Sequence, residues 1–236
     1  MKTNFTKLCL SVLLITFAFT SNSYADFYAC AGTPLTIVGG QTASSTDFAS
    51  YIWDIRENSI TGTSVHTGTG KTLTHTITTP GKYVIILTVT DANTCASAPT
   101  EFVYYALPPV TAAIDMLSNP VAYCTDNAST GTTMTATLAP GTASNVGNAT
   151  IGNIQWYLST DASGTGKAAI PSANATTYQV TQATAGAYYY SVGARYVIPG
   201  ADTFVGNATT TCGGESAIKT ITVNPKPTVT ISITTT

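Results

Sequence analysis

At 236 residues, 44% of them hydrophobic and only 8% charged, the chain has room for two domains of about 100 residues each and too little charge for coiled coils or long solvated helices. The apolar residues are spread through Thr-, Ser- and Gly-rich sequence, which suits β-sandwiches with polar outer faces. Nine Lys+Arg stand against eleven Asp+Glu for a net charge of −2, and no basic patch is interleaved with aromatics, so nucleic acid is excluded as a partner.

Residues 1–25 read as a cleaved secretory signal peptide. Lys2 and Lys7 form its positive end, Leu8 to Thr20 its apolar run, and Ser23-Tyr24-Ala25 a small-x-small cleavage site ahead of Asp26. The run falls short of the ~20 residues that span a bilayer, so the chain is expected not to be membrane-spanning. A competing reading acylates Cys30 as a lipoprotein anchor; it requires Asp26 inside the apolar run and leaves Cys95 with no intramodular partner.

Residues 26–108 form a first β-sandwich in this reading. Leu35 to Val38 is a strand ended by Gly39-Gly40, and Gln41 to Ser50 is a polar loop. Tyr51 to Ile55 alternates around Trp53, and Ile60 to Gly70 has the Thr/Gly content of a long loop or an irregular edge hairpin. Leu73, His75 and Ile77 alternate with Thr as a further strand. Pro80-Gly81 turns into Tyr83-Val84-Ile85-Ile86-Leu87-Thr88-Val89, and Phe102 to Ala106 closes the unit before Pro108-Pro109, since proline cannot donate to a ladder.

Residues 109–226 repeat this plan as a second sandwich. Ala112 to Met116 opens it, Thr133 to Leu138 alternates, and Trp156 sits mid-strand. Thr177 to Val180 precedes the turn into Gly186-x-Tyr188, Arg195 to Thr203 has the look of an extra hairpin, and Ile218 to Val223 closes the unit. Each Trp precedes its Gly-x-Tyr by about thirty residues, which marks an internal repeat. Trp53, Tyr83, Trp156 and Tyr188 are therefore the expected core anchors. Each Tyr is placed to turn its hydroxyl back onto the preceding turn as a tyrosine corner. Residues 227–236, with Val229, Ile231 and Ile233 alternating after Pro227, parallel Val110, Ala112 and Ile114 after Pro109. They read as the first strand of a third, incomplete module: either the sequence is the N-terminal part of a longer chain, or this segment is a free strand with another use.

Export leaves Cys30, Cys95, Cys124 and Cys212 in an oxidising setting, and four cysteines allow three pairings. One pair falls inside each module, which favours Cys30–Cys95 and Cys124–Cys212.

Tyr51-x-Trp53-Asp54 followed by Gly81-x-Tyr83-x-Ile85-x-Leu87-x-Val89-x-Asp91 resembles the PKD domain, with Ile55-Arg56-Glu57-Asn58 replacing that family's glycine-aspartate-glycine turn. Trp156-Tyr157, Ile170-Pro171-Ser172-Ala173, Thr177-Tyr178, Ala185-Gly186-x-Tyr188-Tyr189-Tyr190 and Thr222-Val223-Asn224-Pro225 resemble the Ig-like repeats of large secreted surface proteins of gliding bacteria. The resemblance implies an all-β fold of two tandem Ig-like/PKD-like sandwiches, a bacterial cell-surface or secreted location, and type IX secretion as the route used by such proteins.

For chemistry, His66 and His75 lie in no nucleophile or metal pattern, and no catalytic residue, metal ligand set or cofactor is expected. Asp54, Glu57 and Asp91 are the one set of carboxylates that could converge on calcium. Tyr104-Tyr105 and Tyr188-Tyr189-Tyr190 should each expose alternate rings. Asn127, Asn148, Asn174 and Asn207 stand in Asn-Ala-Ser/Thr sequons and read as loop asparagines. The expected function is a non-catalytic stalk or adhesion module pair, monomeric within a longer chain, whose partners are surface polysaccharide or another cell-surface protein. The alternative is a carbohydrate-binding accessory region of a longer secreted enzyme.

Overall fold

A computed structural model describes residues 25–39, 48–117, 119–142, 145–200, 202–205 and 212–229. The leader up to residue 24 and the tail from residue 230 lie outside the described residues, so the readings placed there are not addressed by it.

Two β-sandwiches follow one another. The first is built from β1 (Phe27–Cys30), β2 (Pro34–Val38), β3 (Ser50–Glu57), β4 (Ser64–Thr69), β5 (Thr72–Thr76), β6 (Gly81–Thr90) and β7 (Thr100–Leu107). Its larger sheet runs β1-β7-β6-β3-β4 and faces the two-stranded sheet β2-β5. The second is built from β8 (Val110–Asp115), β9 (Ala122–Cys124), β10 (Thr132–Pro140), β11 (Thr150–Ser159), β12 (Ala168–Ala169), β13 (Thr177–Val180), β14 (Gly186–Val197) and β17 (Lys219–Asn224). There the sheet β12-β11-β14-β17-β9 faces β13-β10-β8. The wiring is the same in both. A short strand lies parallel to the closing strand, β1 on β7 and β9 on β17, and the other pairs inside each sandwich are antiparallel.

Alternation sets the cores. Tyr51, Trp53 and Ile55 point inward from β3, and Trp53 and Trp156 are both fully buried. A buried indole N–H needs an acceptor. Trp53 Nε1 donates to Gly70 O and Trp156 Nε1 to Ala175 O, each at 2.9 Å. Both tyrosine corners form. Tyr83 Oη donates to Thr79 O at 2.8 Å and Tyr188 Oη to Thr184 O at 2.9 Å. Tyr83 is buried, while Tyr188 is half-buried and packs against the second core from its rim.

Several expectations need correction. Phe27–Cys30 is a strand, missed because only five residues separate the expected leader from the turn at Ala31-Gly32. Within the Ile60–Gly70 stretch it is the irregular-edge alternative that forms, since Ser64–Thr69 pairs antiparallel with β3 at the sheet edge with a register shift. Arg195 to Thr203 is no local hairpin. β14 runs on to Val197, and β15 (Thr203–Phe204) leaves its own module and pairs parallel with β1, adding a strand to the first sandwich. A further short strand, β16 (Gly214–Glu215), pairs with β14.

The disulfide differs most. Cys30 is bonded to Cys212, at a Cα–Cα distance of 5.3 Å, while Cys95 and Cys124 are free thiols. Cys30 pairs with Leu107 at the end of β7, where Gly81 meets Ala106, whereas Cys95 follows the other end of β6. The length of β6 puts those poles roughly 30 Å apart, far beyond the ~7 Å Cα limit for a bridge. Likewise Cys124 pairs with Asn224 beside the Gly186 end of β14, and Cys212 packs with Ala194 toward the other end. The intramodular pairings of Cys30–Cys95 and Cys124–Cys212 are therefore both ruled out by strand direction.

Candidate functional site: the seam between the sandwiches

Cys30 and Cys212 lie in a third apolar cluster that belongs to both sandwiches. Tyr28, Tyr105 and Leu107 come from the first, Ala149, Ala194, Tyr196 and Cys212 from the second, and Val110 from the strand that joins them. Successive strand residues face opposite ways, so Tyr104 points into the first core and Tyr105 away from it. Both are nonetheless buried, because the second sandwich covers the outer face. The expectation of an exposed ring in that pair is thereby corrected. In the other tyrosine run, Tyr190 is buried and Tyr188 and Tyr189 are half-buried.

Tyr28 is fully buried and stacks on Tyr105 with ring centroids 4.9 Å apart. Its oxygen accepts from Asn148 N–H at 3.2 Å, and burial pushes its hydroxyl pKa up to about 12. Gly147 fits beside this pair for want of a side chain. Its φ is +59°, and a Cβ there would fall 2.7 Å from both Tyr105 Cζ and Tyr28 Oη. Gly214 is tighter still, since a Cβ would lie 1.7 Å from Val110 O.

Backbone hydrogen bonds cross the seam as well. Thr203 N–H donates to Asp26 O at 2.9 Å, Val205 N–H to Tyr28 O at 2.6 Å, and Asp26 N–H to Asp202 Oδ1 at 3.0 Å. Burial first, and then the Asp202 charge, raise the Asp26 carboxyl above its ordinary range. Val110 N–H donates to Cys212 O at 2.8 Å, anchoring the bonded cysteine to the start of the second module. Disulfide, strand addition, hydrogen bonds and the close glycine contact of Gly147 all act across one junction, so the sandwiches form one unit.

A second feature lies on the outer face of β11, β14 and β16. A groove of about 570 Å³ is lined by Asn153, Gln155, Tyr157, Arg195 and Glu215 among others. Lys167 pairs with Glu215 and sits 5.1 Å over the Tyr157 ring. Burial pushes the Glu215 carboxyl up, but hydrogen bonds from Lys167 and from Ser191 (2.7 Å) more than reverse this and leave it below its ordinary range. Tyr157 follows the buried Trp156, so period-two alternation alone turns it outward, a signal the sequence reading passed over.

The other candidates do not assemble. Glu57 pairs with Tyr83 and Ser50 with Thr90 along β3, which sets Glu57 and Asp91 at opposite ends of the strand. Asp54 is engaged by Arg56 and Ser64 at 2.6 Å each, and Asp91 caps its own turn through Asn93 and Cys95 N–H. Among the described residues no group of three or more His, Cys, Asp or Glu is placed to hold a metal ion.

His66 and His75 do meet, stacked with centroids 3.9 Å apart. Burial, and then the charge of His66, hold His75 below its ordinary value of 6.5. A base with a depressed folded pKa is protonated more readily in the unfolded chain, so stability falls as pH drops below about 6.5. The melting midpoint should therefore decrease from pH 7 to pH 5, and His75→Gln should flatten that decrease. An unchanged pH slope in the variant would contradict it.

Residues 21–106 match the family model of the PKD domain. The match covers the first sandwich only; the second, from Val110 onward, lies outside it. No curated protein matches it. Among solved structures it is similar to the fibronectin(III)-like modules of Clostridium thermocellum CbhA, at 15% identity over 88% of this chain and 92% of that one, with a TM-score of 0.35. It is also similar to the amphioxus IgVJ-C2 molecule, at 13% identity over 83% and 99% with a TM-score of 0.32. A third similarity is to Bacteroides ovatus SGBP-B in complex with a mixed-linkage heptasaccharide, at 12% identity over 86% and 67% with a TM-score of 0.26.

Proposed function

We propose that this chain is a non-catalytic, exported structural segment, in which two sandwiches are locked into one stiff unit of a cell-surface stalk or adhesin. The observation that carries this reading is the Cys30–Cys212 bond, which spans 182 positions and ties the first strand of one module to a loop of the next. Structural disulfides persist in oxidising compartments, which agrees with residues 1–25 acting as a secretory signal. Removal of that signal would make the Asp26 nitrogen an ammonium, beside Asp202 Oδ1 at 3.0 Å. Export would then replace a neutral hydrogen bond at the seam with a charge-assisted one. Among the described residues no helix is long and apolar enough to cross a membrane.

The experiment is protease treatment of intact cells that produce the protein. A surface segment is cleaved without lysis and is detected in the surface fraction; protection until lysis would overturn the reading. A carbohydrate-binding accessory role is the second reading, and the Tyr157 groove favours it. Aromatic rings flanked by polar side chains suit sugar faces, and retention on insoluble polysaccharide that is lost in Tyr157→Ala would select it.

A further inference from the structure

On one side the first sandwich is held shut by an arch. β4 is the edge of the larger sheet, β5 belongs to the smaller one, and Gly70-Lys71 turns the chain from one to the other. Among the described residues no ladder hydrogen bond joins β4 to β5, so side chains close the gap. Leu73 lies over Gly68, where a Cβ would fall 2.8 Å from Leu73 Cδ1. Two residues further from the turn on each strand, His66 stacks on His75 with centroids 3.9 Å apart. The turn itself is tied to the core: Trp53 Nε1 donates to Gly70 O at 2.9 Å, and Gly70 N–H to Tyr51 O at 3.2 Å.

A neutral imidazole can stack on a neutral or a charged one, but two imidazolium rings at this separation repel each other. Nothing beside the pair offsets a second charge. Ile55 stands opposite His66 and Leu35 opposite His75. On the flanking elements the charged groups are Asp54, Arg56 and Glu57 of β3 and Lys71 of the turn; β2 has none, and β4 and β5 have none besides the histidines. The Asp54 carboxylate already accepts from Arg56 and Ser64, Glu57 lies opposite Tyr83 at the end of β3, and Lys71 carries the wrong sign. The two rings therefore titrate as a coupled pair, and the second proton is taken at the expense of the stack.

We infer that the His66–His75 stack is an acid-released latch, which holds β4 against β5 while at most one ring is protonated and opens that side of the first sandwich when both are. Protonation opposed in the closed form is easier in the open one, so the open population grows as pH falls below about 6.5. The lowered pKa of His75 has the sign this requires. Opening draws Gly70 away from Trp53 and lifts Leu73 off the core, while β3, β6 and β7 stay joined by their own ladders. Both histidines of the chain lie in the first sandwich, so Trp156, bonded to Ala175 O in the second, serves as an internal control.

The test is NMR on the 15N-labelled chain, comparing solvent exchange of the two indole N–H groups at pH 7 and pH 5. Taking the ratio of the Trp53 rate to the Trp156 rate cancels the intrinsic effect of pH on exchange. That ratio should rise about tenfold at pH 5, and backbone protection should fall over residues 64–77 and not over β11 or β14. His75→Gln leaves a single titrating ring and should hold the ratio constant. The double variant His66→Phe, His75→Phe keeps a stacked pair without charge, and should stay closed at both pH values. A ratio that does not change with pH in the parent, or that rises equally in the double Phe variant, would overturn the inference.

Discussion

Pulled between its first and last strands, the oxidised protein should barely lengthen when its sandwiches unfold, and reductant should add about 620 Å of contour. Tension enters at Asp26, crosses β1 to Cys30, passes through the sulfur–sulfur bond to Cys212 and leaves along β17. The 182 steps between the two cysteines lie off this path, and at ~3.4 Å per residue they account for the released length. Neither module is protected by a bond of its own, since Cys95 and Cys124 are free. The lock is therefore all or nothing. Single-molecule force spectroscopy with and without reductant reads it directly, and equal extension in both conditions would remove the mechanical argument for a stalk.

The second large effect is on equilibrium stability. Cys30→Ser or Cys212→Ser opens a loop that spans both sandwiches, and the chain-entropy relation for a loop of this length gives about 5 kcal/mol, the upper end of measured disulfide contributions. A loss of roughly 2–5 kcal/mol, or about 5–15 °C in the melting midpoint of a chain this size, is expected in either variant. Cys95 is exposed and Cys124 half-buried, so Cys95→Ser and Cys124→Ser should stay within about 0.5 kcal/mol of the parent. Thermal melts of the four variants separate a seam bond from two intramodular bonds, for which all four would be costly.

What could be read from the sequence was local to one strand or one turn. Trp53, Trp156 and the Gly-x-Tyr starts of β6 and β14 announce themselves by alternation and by the turn that precedes them. The corner hydrogen bonds of Tyr83 and Tyr188 follow from spacing along the chain. The seam could not be read in that way. Which pole of a sandwich receives Cys30 depends on β1 lying parallel to β7, a long-range choice made by a four-residue strand. Thr203–Phe204 carries no mark that it pairs with another module, and the burial of Tyr105 depends on the second sandwich resting against it. Adjacent-cysteine reasoning failed for the same reason: sequence proximity placed Cys95 and Cys124 inside modules without saying at which end.

The measurement that bears most directly on the stapled seam is peptide mapping of the exported protein under non-reducing conditions, with free thiols alkylated first. A peptide pair joining Cys30 to Cys212, together with alkylated Cys95 and Cys124, is the predicted result. Linked Cys30–Cys95 and Cys124–Cys212 peptides would contradict it and return the two sandwiches to independent modules.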